Sequence, residues 1–478
     1  MTTTDPALLS AAELLRLYRR KALSPVETAE ACLARVRRWN GSMGAFTFVD
    51  EEGALAAARA SAARWQRGEP CGPLDGVPTT VKDLVLVKGW TARRGSHSTE
   101  GQPPAAEDAP ATARLREAGA VLLGSTTTPE FGWKAVTDNP LGEIARNPWN
   151  PALTPGGSSG GAAVAAALGM GALHLGTDGG GSIRIPAGLT GIVGLKPTFG
   201  RVPAWPLSPF GTVAHLGPMT RTVEDAALML TTISRPDRRD WHALPPEPRD
   251  YRIGLEGGLA GLRVAASAAL GFVSVDPEVL RVFRSAVATL ADLGAEVEET
   301  DPPVGDPQEL FARTWFPAAT RLVEKLPAEA RARMDPGLLA IATEGACYGR
   351  AELQDAALER GELGVRLQLF FAAYDLLVTP AVAVPAFPVL RTQPGPQADP
   401  RWTAWAGLSY PFNLTQQPAI SVPAGFTEDG LPVGLQIVAA KYADALVLRA
   451  ARAFAAACPQ PVADTPRSPS AQEPAAPV

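Results

Sequence analysis

The segment Thr154–Gly200 reads TPGGSSGGAAVAAALGMGALHLGTDGGGSIRIPAGLTGIVGLKPTFG, and it contains two glycine-flanked serines, Ser158 and Ser182. Glycine permits positive φ angles and lets peptide N–H groups approach a ligand closely. The run Gly179, Gly180, Gly181, Ser182 therefore predicts a nest of N–H donors around a developing oxyanion. A serine at the end of such a nest is placed to attack a carbonyl, provided that a base removes its proton.

Three other interpretations fit this segment less well. A phosphate-binding loop requires Gly-Lys-Ser/Thr, and no lysine follows Gly181. A pair of tight turns is a common use of glycine and serine, but two such sites in one short span are less typical of turns alone. The elbow G-x-S-x-G of an α/β-hydrolase is satisfied at 156–160, yet that enzyme needs a late histidine and none follows His242.

Lysine is the natural base once histidine is set aside. Arginine does not release its proton at working pH, and the chain has seven lysines against 37 arginines. Lys82 ends the apolar, β-branched run Gly76–Lys82, which indicates a buried strand end. Burial would favour its uncharged amine. A strand-end lysine paired with Asp83 is the competing interpretation.

Composition excludes several classes of protein. The chain has 478 residues, 46% of them hydrophobic, and a formal charge of −5. Neither charge sign gathers into a long run, so no footprint for nucleic acid or an anionic membrane is present, and a small, roughly neutral ligand is expected. The four cysteines are widely spaced and favour a reducing cytoplasm. No secretory signal or membrane span is recognised, and no cofactor motif is found.

The chain outside this segment alternates short apolar runs with helical patterns, which is typical of an α/β layered fold. Capping boxes at Ser10/Glu13 and Ser24/Glu27 predict two N-terminal helices over about 8–40. A core segment over about 73–235 contains Lys82 and both serines. It is followed by a helical excursion over about 240–370, and by C-terminal strands and a helix over about 371–457. We interpret 1–458 as one catalytic domain and 459–478, which is rich in proline, as a disordered tail.

The residues resemble the amidase signature family. The resemblance is carried by 156–161, by Thr177-Asp178, by 180–184 and by 194–198, and it extends to the lysine segment 73–83. It implies a large mixed, mostly parallel central β-sheet covered by α-helices on both faces. It also implies that Ser182 is the nucleophile, Lys82 the base and Ser158 the bridge between them, held by a cis peptide after Gly157.

The same resemblance implies that the N–H groups of Gly179, Gly180, Gly181 and Ser182 bind the oxyanion. Gly179 departs from a bulkier residue that is common in the family at this position. The implied reaction is hydrolysis of a carboxamide C–N bond through an acyl-enzyme, with water as the second substrate and without a metal or organic cofactor.

The substrate is less constrained by the sequence. Between Pro400 and Phe426 there is no acidic residue, so the pairing that a glutamine substrate needs is missing. Aromatic residues suggest instead a pocket for uncharged aliphatic or aryl amides, with esters, anilides or carbamates as relatives. The predicted pocket residues are Phe131, Trp133, Trp402 and Trp405.

Two alternatives to a stand-alone amidase stay open at this point. One is the glutamine-hydrolysing subunit of a tRNA-dependent amidotransferase, and the other is a non-catalytic binding protein on the same fold. A homodimer is also left open, because the N-terminal helices can pack on their own chain or on a neighbour.

Overall fold

The sheet organises the molecule. The computed structural model describes residues 5–395, 399 and 401–467. Within them the strands are β1 (Phe46–Val49), β2 (Pro78–Lys82), β3 (Val121–Thr126), β4 (Leu173–Asp178), β5 (Val193–Lys196), β6 (His215–Thr220), β7 (Arg263–Ala266), β8 (Glu296–Glu299), β9 (Leu376–Pro380), β10 (Ala419–Phe426) and β11 (Pro432–Ala439). They form one eleven-stranded sheet in the order β1-β3-β2-β4-β6-β5-β10-β11-β9-β7-β8.

The helices of the described residues lie between these strands. They are α1 (Ala11–Arg19), α2 (Pro25–Met43), α3 (Glu51–Arg67), α4 (Pro110–Glu117), α5 (Gly160–Ala167), α6 (Arg184–Thr190), α7 (Val223–Ile233), α8 (Pro277–Asp292), α9 (Gln308–Glu324), α10 (Ala328–Arg331), α11 (Pro336–Gly345), α12 (Arg350–Ala373), α13 (Pro411–Leu414) and α14 (Asp444–Ala457). The two predicted capping boxes open α1 and α2, where Ser10 and Ser24 each exchange hydrogen bonds with a glutamate three residues later.

The mixed α/β sheet with helices on both faces is confirmed, but the predicted parallel majority is wrong. Of the ten neighbouring strand pairs, four are parallel and six are antiparallel. The mostly parallel arrangement was what the family resemblance implied. In the structure β10 and β11 form a hairpin through the short turn 427–431, and β5 and β6 also pair antiparallel.

Alternation along the strands separates two hydrophobic layers. In β9, Leu376 and Val378 join the layer that α1, α4, α7, α8 and α14 cover, whereas Leu377 joins the layer beneath α5, α6, α9, α11 and α12. Successive side chains of a strand point to opposite faces, so each buried strand contributes to both layers. Among the described residues, no helix combines the length and apolarity needed to cross a bilayer.

Two predicted segments differ from the structure. The excursion over 240–370 is mainly helical, but it also contributes β7 and β8. The strand β8 reads Glu296-Val297-Glu298-Glu299 and is mostly exposed, so it carried no buried-strand pattern. It lies at the sheet edge, where charged side chains are tolerated.

The beginning of the predicted disordered tail packs on the body. Residues 459–467 lie outside helix and strand, yet Ala463 is buried and the Arg467 N–H donates to the Pro148 carbonyl over 2.9 Å. The Arg467 guanidinium also lies 4.2 Å from the centre of the Trp149 ring. Residues 468–478 of that tail lie outside the described residues.

Candidate active site

Strand pairing brings the lysine segment to the glycine-rich segment. Lys82 is the last residue of β2 and Asp178 the last of β4, and these two strands pair in parallel with Val81 opposite Leu175. The carboxyl ends of parallel strands meet at one edge of a sheet, and loops there build sites in open α/β folds. Lys82 therefore lies beside Thr177 and the turn that carries Ser182.

The Lys82 amine is completely buried and contacts three hydroxyl groups. Its Nζ lies 2.7 Å from Ser158 Oγ, 2.9 Å from Ser159 Oγ and 2.9 Å from Thr177 Oγ1. Among the described residues it forms no ion pair, so the competing interpretation of a salt bridge to Asp83 is wrong. The Asp83 backbone N–H instead donates to the Thr126 carbonyl, and its Oδ1 accepts from the Arg93 N–H.

Burial favours the neutral form of this amine. Removal from water lowers the pKa of Lys82 well below its ordinary value, and the charge of Asp178 opposes this only in part. A neutral amine has two N–H donors and one lone pair. Ser159 Oγ donates to the Thr177 carbonyl over 3.1 Å, so it must accept from the lysine. If the second N–H goes to Thr177, the lone pair is left to accept the Ser158 hydroxyl proton.

The two serine loops are joined through the backbone. The peptide Gly157–Ser158 is cis, as the resemblance implied, and the Ser159 N–H donates to the Ser182 carbonyl over 3.1 Å. Both Ser158 and Ser182 line the same cavity. Among the described residues no hydrogen bond joins their hydroxyl groups directly.

Of the four N–H groups predicted to bind the oxyanion, one is already hydrogen-bonded within the protein. The Gly181 N–H donates to Asp178 Oδ1 over 2.8 Å and is therefore not available to a ligand. Within the described chain, the N–H groups of Gly179, Gly180 and Ser182 enter no hydrogen bond. Gly181 has φ +126°, and a Cβ there would collide with the Ser409 side chain, so this turn requires glycine.

Asp178 fixes the turn from inside the protein. Its carboxylate accepts from the N–H groups of Gly181 and Ile183, and from Arg184 Nε and Nη2 over 3.0 Å each. Both side chains of the Asp178–Arg184 pair are completely buried. Although burial alone would raise it, the pKa of Asp178 is held well below its usual range by the Arg184 guanidinium. The pair thus links the turn 179–182 to Asn413 and Gln436, whose side-chain oxygens accept from Arg184.

A cavity of about 390 Å³ opens over this turn. Of the four predicted pocket aromatics, only Phe131 lines it. Trp133 packs against the backbone at Gly337, and Trp405 packs against Phe387 with its Nε1 donating to the Thr392 carbonyl. The prediction is therefore wrong for Trp133 and Trp405, which are core residues.

The prediction is also wrong for Trp402. This residue lies behind the turn 179–182, which carries the predicted oxyanion donors and is called the oxyanion turn below. A Cβ at Gly180 would come within 2.8 Å of the Trp402 ring and 2.9 Å of the Phe311 ring. Trp402 does not line the cavity. Its ring packs against the backbone at Gly180.

The aromatic wall that the sequence missed comes from Trp315 and Phe210. Trp315, on α9, stacks on Phe210 with ring centres 3.7 Å apart and planes within 9°, and both rings line the cavity. A Cβ at Gly179 would lie 2.7 Å from Cζ3 of Trp315. The indole therefore occupies the space that the bulkier residue common at this position would fill. The unusual glycine was the only sequence signal for it.

The histidines do not form a hydrolase triad. His174 contacts Thr80 Oγ1 over 2.8 Å, and His215 places Nδ1 2.8 Å from the Val213 carbonyl. Among the described residues no histidine is hydrogen-bonded to Ser158 or Ser182, and no cluster of metal-ligating side chains is found. The basic side chain in contact with Ser158 is instead that of Lys82.

Known proteins with similar chains hydrolyse or transfer amides. The chain is 40% identical to an acylamidase of Rhodococcus erythropolis over 96% of its own length and 97% of the relative's. It is 35% identical to a glutamyl-tRNA(Gln) amidotransferase subunit of Chloroflexus aurantiacus, covering 90% and 93% of the two chains. The crystal structure of a bacterial aryl acylamidase superposes with a TM-score of 0.87 at 31% identity, covering 94% and 96%.

These similarities define the class as enzymes that hydrolyse amide C–N bonds. The model of the Amidase family matches residues 27–448. The chain belongs to this family, and it is an amide hydrolase.

Proposed function

We propose that this amidase transfers the acyl group of its substrate to Ser182, with Lys82 as the base and Ser158 as the proton relay. The observation that carries the proposal is the 2.7 Å contact between the buried Lys82 Nζ and Ser158 Oγ. A lysine without a carboxylate partner, facing only hydroxyl groups, is suited to accept a proton. The proposed oxyanion donors are the N–H groups of Gly179, Gly180 and Ser182.

The proposed reaction proceeds in two steps. Ser182 Oγ attacks the amide carbonyl while its proton passes to Ser158 and the Ser158 proton passes to neutral Lys82. The tetrahedral oxyanion is bound by the three N–H groups, and the proton returns by the same path to the departing nitrogen. Water then attacks the acyl-enzyme and releases the acid. The scheme uses no metal or organic cofactor.

The substrate class that the cavity supports is an amide with a flat aromatic or an aliphatic group. The Trp315–Phe210 stack and Phe131 form apolar walls beside Ser182. Aromatic rings pack favourably in such slots. The names of the acylamidase and aryl acylamidase relatives agree with this class.

A glutamine-hydrolysing subunit is supported less well. Glutamine carries an α-amino group that needs a free carboxylate, and Asp240, the one carboxylate that lines the described cavity, is committed to the N–H groups of Ala204 and His242. Arg401 is tied to Asp399, Glu309 and Glu344 outside the cavity. We therefore place a small-molecule amide and water, rather than tRNA, as the partners.

Two further expectations accompany this function. We propose a cytoplasmic location, which the four unpaired cysteines support because thiols persist in a reducing compartment. We also propose that 1–458 acts as one catalytic domain. Gel filtration would establish whether it does so as a monomer or as a homodimer.

The decisive experiment combines labelling with turnover. A fluorophosphonate should label the wild-type protein at Ser182 and should not label Ser182→Ala. A hydrolysis panel of anilides, aliphatic amides, carbamates and glutamine, read by mass spectrometry, should show anilides or aliphatic amides as the preferred substrates. Normal turnover by a folded Ser182→Ala protein would exclude Ser182 as the nucleophile, and glutamine as the best substrate would favour the glutamine-hydrolysing alternative.

A further inference from the structure

A half-buried arginine in the cavity wall is not used by the reaction described above. Arg94 lines the cavity, and within the described residues its guanidinium forms neither a hydrogen bond nor an ion pair. Its neighbour Arg93 behaves differently, because Arg93 Nη1 lies 3.3 Å from Glu143 Oε1. A guanidinium has five N–H donors that normally find acceptors when water is restricted.

The backbone ties Arg94 to the wall that carries the catalytic hydroxyls. The Arg94 carbonyl accepts from the Phe131 N–H over 2.8 Å, and a Cβ at the next residue, Gly132, would lie 3.2 Å from Ser158 Oγ. On the other side, the Arg93 N–H donates to Asp83, which directly follows Lys82. Arg94 is thus held beside the site by the contact of its own carbonyl and by that of the preceding N–H group, at Arg93.

Nearby charges leave the guanidinium without a counterion. Burial lowers the pKa of Arg94, and Asp83 opposes this only through its field. Burial also raises the pKa of Asp83 to about 7, so this carboxyl group is only partly ionised at neutral pH. The other charged residues that line the cavity are Lys325 at its rim and Asp240, whose carboxylate is already bound by two N–H groups. The cavity therefore has a surplus of positive charge.

We propose that Arg94 binds an anionic group, such as a carboxylate, carried by the substrate away from the amide that is cleaved. The planar guanidinium suits a carboxylate because it can donate two parallel hydrogen bonds. This inference rests on the proposed function, and among amides with a flat aromatic or an aliphatic group it favours those that also carry a remote negative charge, in place of the uncharged amides that the sequence suggested. Arg94 is a specificity residue, since the proposed proton path does not include it.

The test uses pairs of substrates that differ in charge but little in shape. For a charge on the amine side, 4-acetamidobenzoate is compared with 4-nitroacetanilide, because carboxylate and nitro groups are both planar and of similar size. For a charge on the acyl side, the 4-nitroanilide of succinate is compared with that of butyrate. The ratio of kcat/KM for the charged and neutral members is measured in the wild type and in Arg94→Met, which cancels differences in leaving-group reactivity.

A hydrogen-bonded charge pair of this kind is worth about tenfold to a hundredfold in kcat/KM. We expect the charged-to-neutral ratio to fall at least fivefold in Arg94→Met for one of the two pairs, and Arg94→Lys to retain part of it. Arg93→Met is the matched control and should leave both ratios unchanged. Methionine, like arginine, is unbranched at Cβ, so the substitution adds no backbone strain at position 94, where φ is +54°.

The outcomes separate this inference from the proposed function. If Arg94→Met hydrolyses the neutral anilides normally and both ratios change less than fivefold, Arg94 does not bind an anionic group. If the wild type hydrolyses neither neutral anilide, the aryl amide function itself is at fault. A fall in the charged-to-neutral ratio of kcat/KM in Arg93→Met as large as that in Arg94→Met would also overturn the assignment to Arg94.

Discussion

Substitution of Gly179 by alanine tests the relation between the oxyanion turn and the aromatic wall. The new Cβ would lie 2.7 Å from Cζ3 and 2.9 Å from Cη2 of Trp315. Trp315 cannot yield easily, since it is stacked on Phe210 at 3.7 Å and lies against Phe311 with ring centres 5.4 Å apart. Either the indole moves or the peptides that carry the Gly179 and Gly180 N–H groups shift.

The free-energy cost of the substitution follows from the steric overlap between the new methyl group and the Trp315 ring. Overpacking by one methyl group in a tight site typically costs about 1–3 kcal/mol. If the strain falls on the oxyanion turn, kcat/KM for 4-nitroacetanilide falls roughly 5- to 150-fold, and only the upper end of this range reaches the roughly 10²- to 10³-fold loss caused by removal of one oxyanion donor. If it falls on the indole, the thermal midpoint drops and KM for aryl substrates rises.

The double variant Gly179→Ala/Trp315→Leu tests whether the effect of Gly179→Ala comes from the contact between the new methyl group and the Trp315 ring. Leucine removes both ring atoms that the methyl group would meet, so it should recover most of the loss caused by Gly179→Ala. A coupling of at least about 1 kcal/mol is expected in the double-mutant cycle. Full activity and stability of Gly179→Ala, or strictly additive effects of the two substitutions, would refute the reasoning.

Three further results are expected. Burial lowers the pKa of Lys82, so the neutral amine is lost only as the pH falls through that lowered pKa, and wild-type kcat/KM should rise as the pH rises through it. Lys82→Met should lower kcat/KM about 10²- to 10⁴-fold and abolish this rise with pH. Asp178→Asn should leave the buried Arg184 charge unpaired and cost about 3–5 kcal/mol in chemical denaturation, whereas a change under 1 kcal/mol would contradict the pair's role. Phe131→Leu should raise KM for anilides, while Trp133→Leu, outside the cavity, should lower the thermal midpoint with little effect on KM.

The sequence was most informative where chemistry restricts the residue type. The sequence predicts Lys82 at a strand end and Ser158 and Ser182 among glycines as one site. In the structure the two serines line one cavity, and Lys82 contacts Ser158. Ser159 and Thr177, which complete the surroundings of the amine, were less visible because a hydroxyl that only accepts a hydrogen bond looks like any polar residue of a turn.

The predicted oxyanion donors depend on contacts that the local sequence does not reveal. Counting N–H groups along 179–182 gives four, but Gly181 is taken by Asp178, a contact that depends on how the chain turns back on itself. Similarly, Phe131 and Trp133 are two residues apart and equally aromatic, yet only Phe131 faces the cavity.

The amino-acid sequence was enough to establish the α/β class and the family and to predict the reactive groups, because glycine, a buried lysine and paired serines are restricted by local backbone geometry and by proton chemistry. The folded chain was needed for the balance of parallel and antiparallel strands, the removal of one oxyanion donor, and the wall formed by Trp315, Phe210 and Arg94. These features arise from contacts between segments that are distant along the chain. Local patterns carry no information on which of many apolar or charged side chains will meet there.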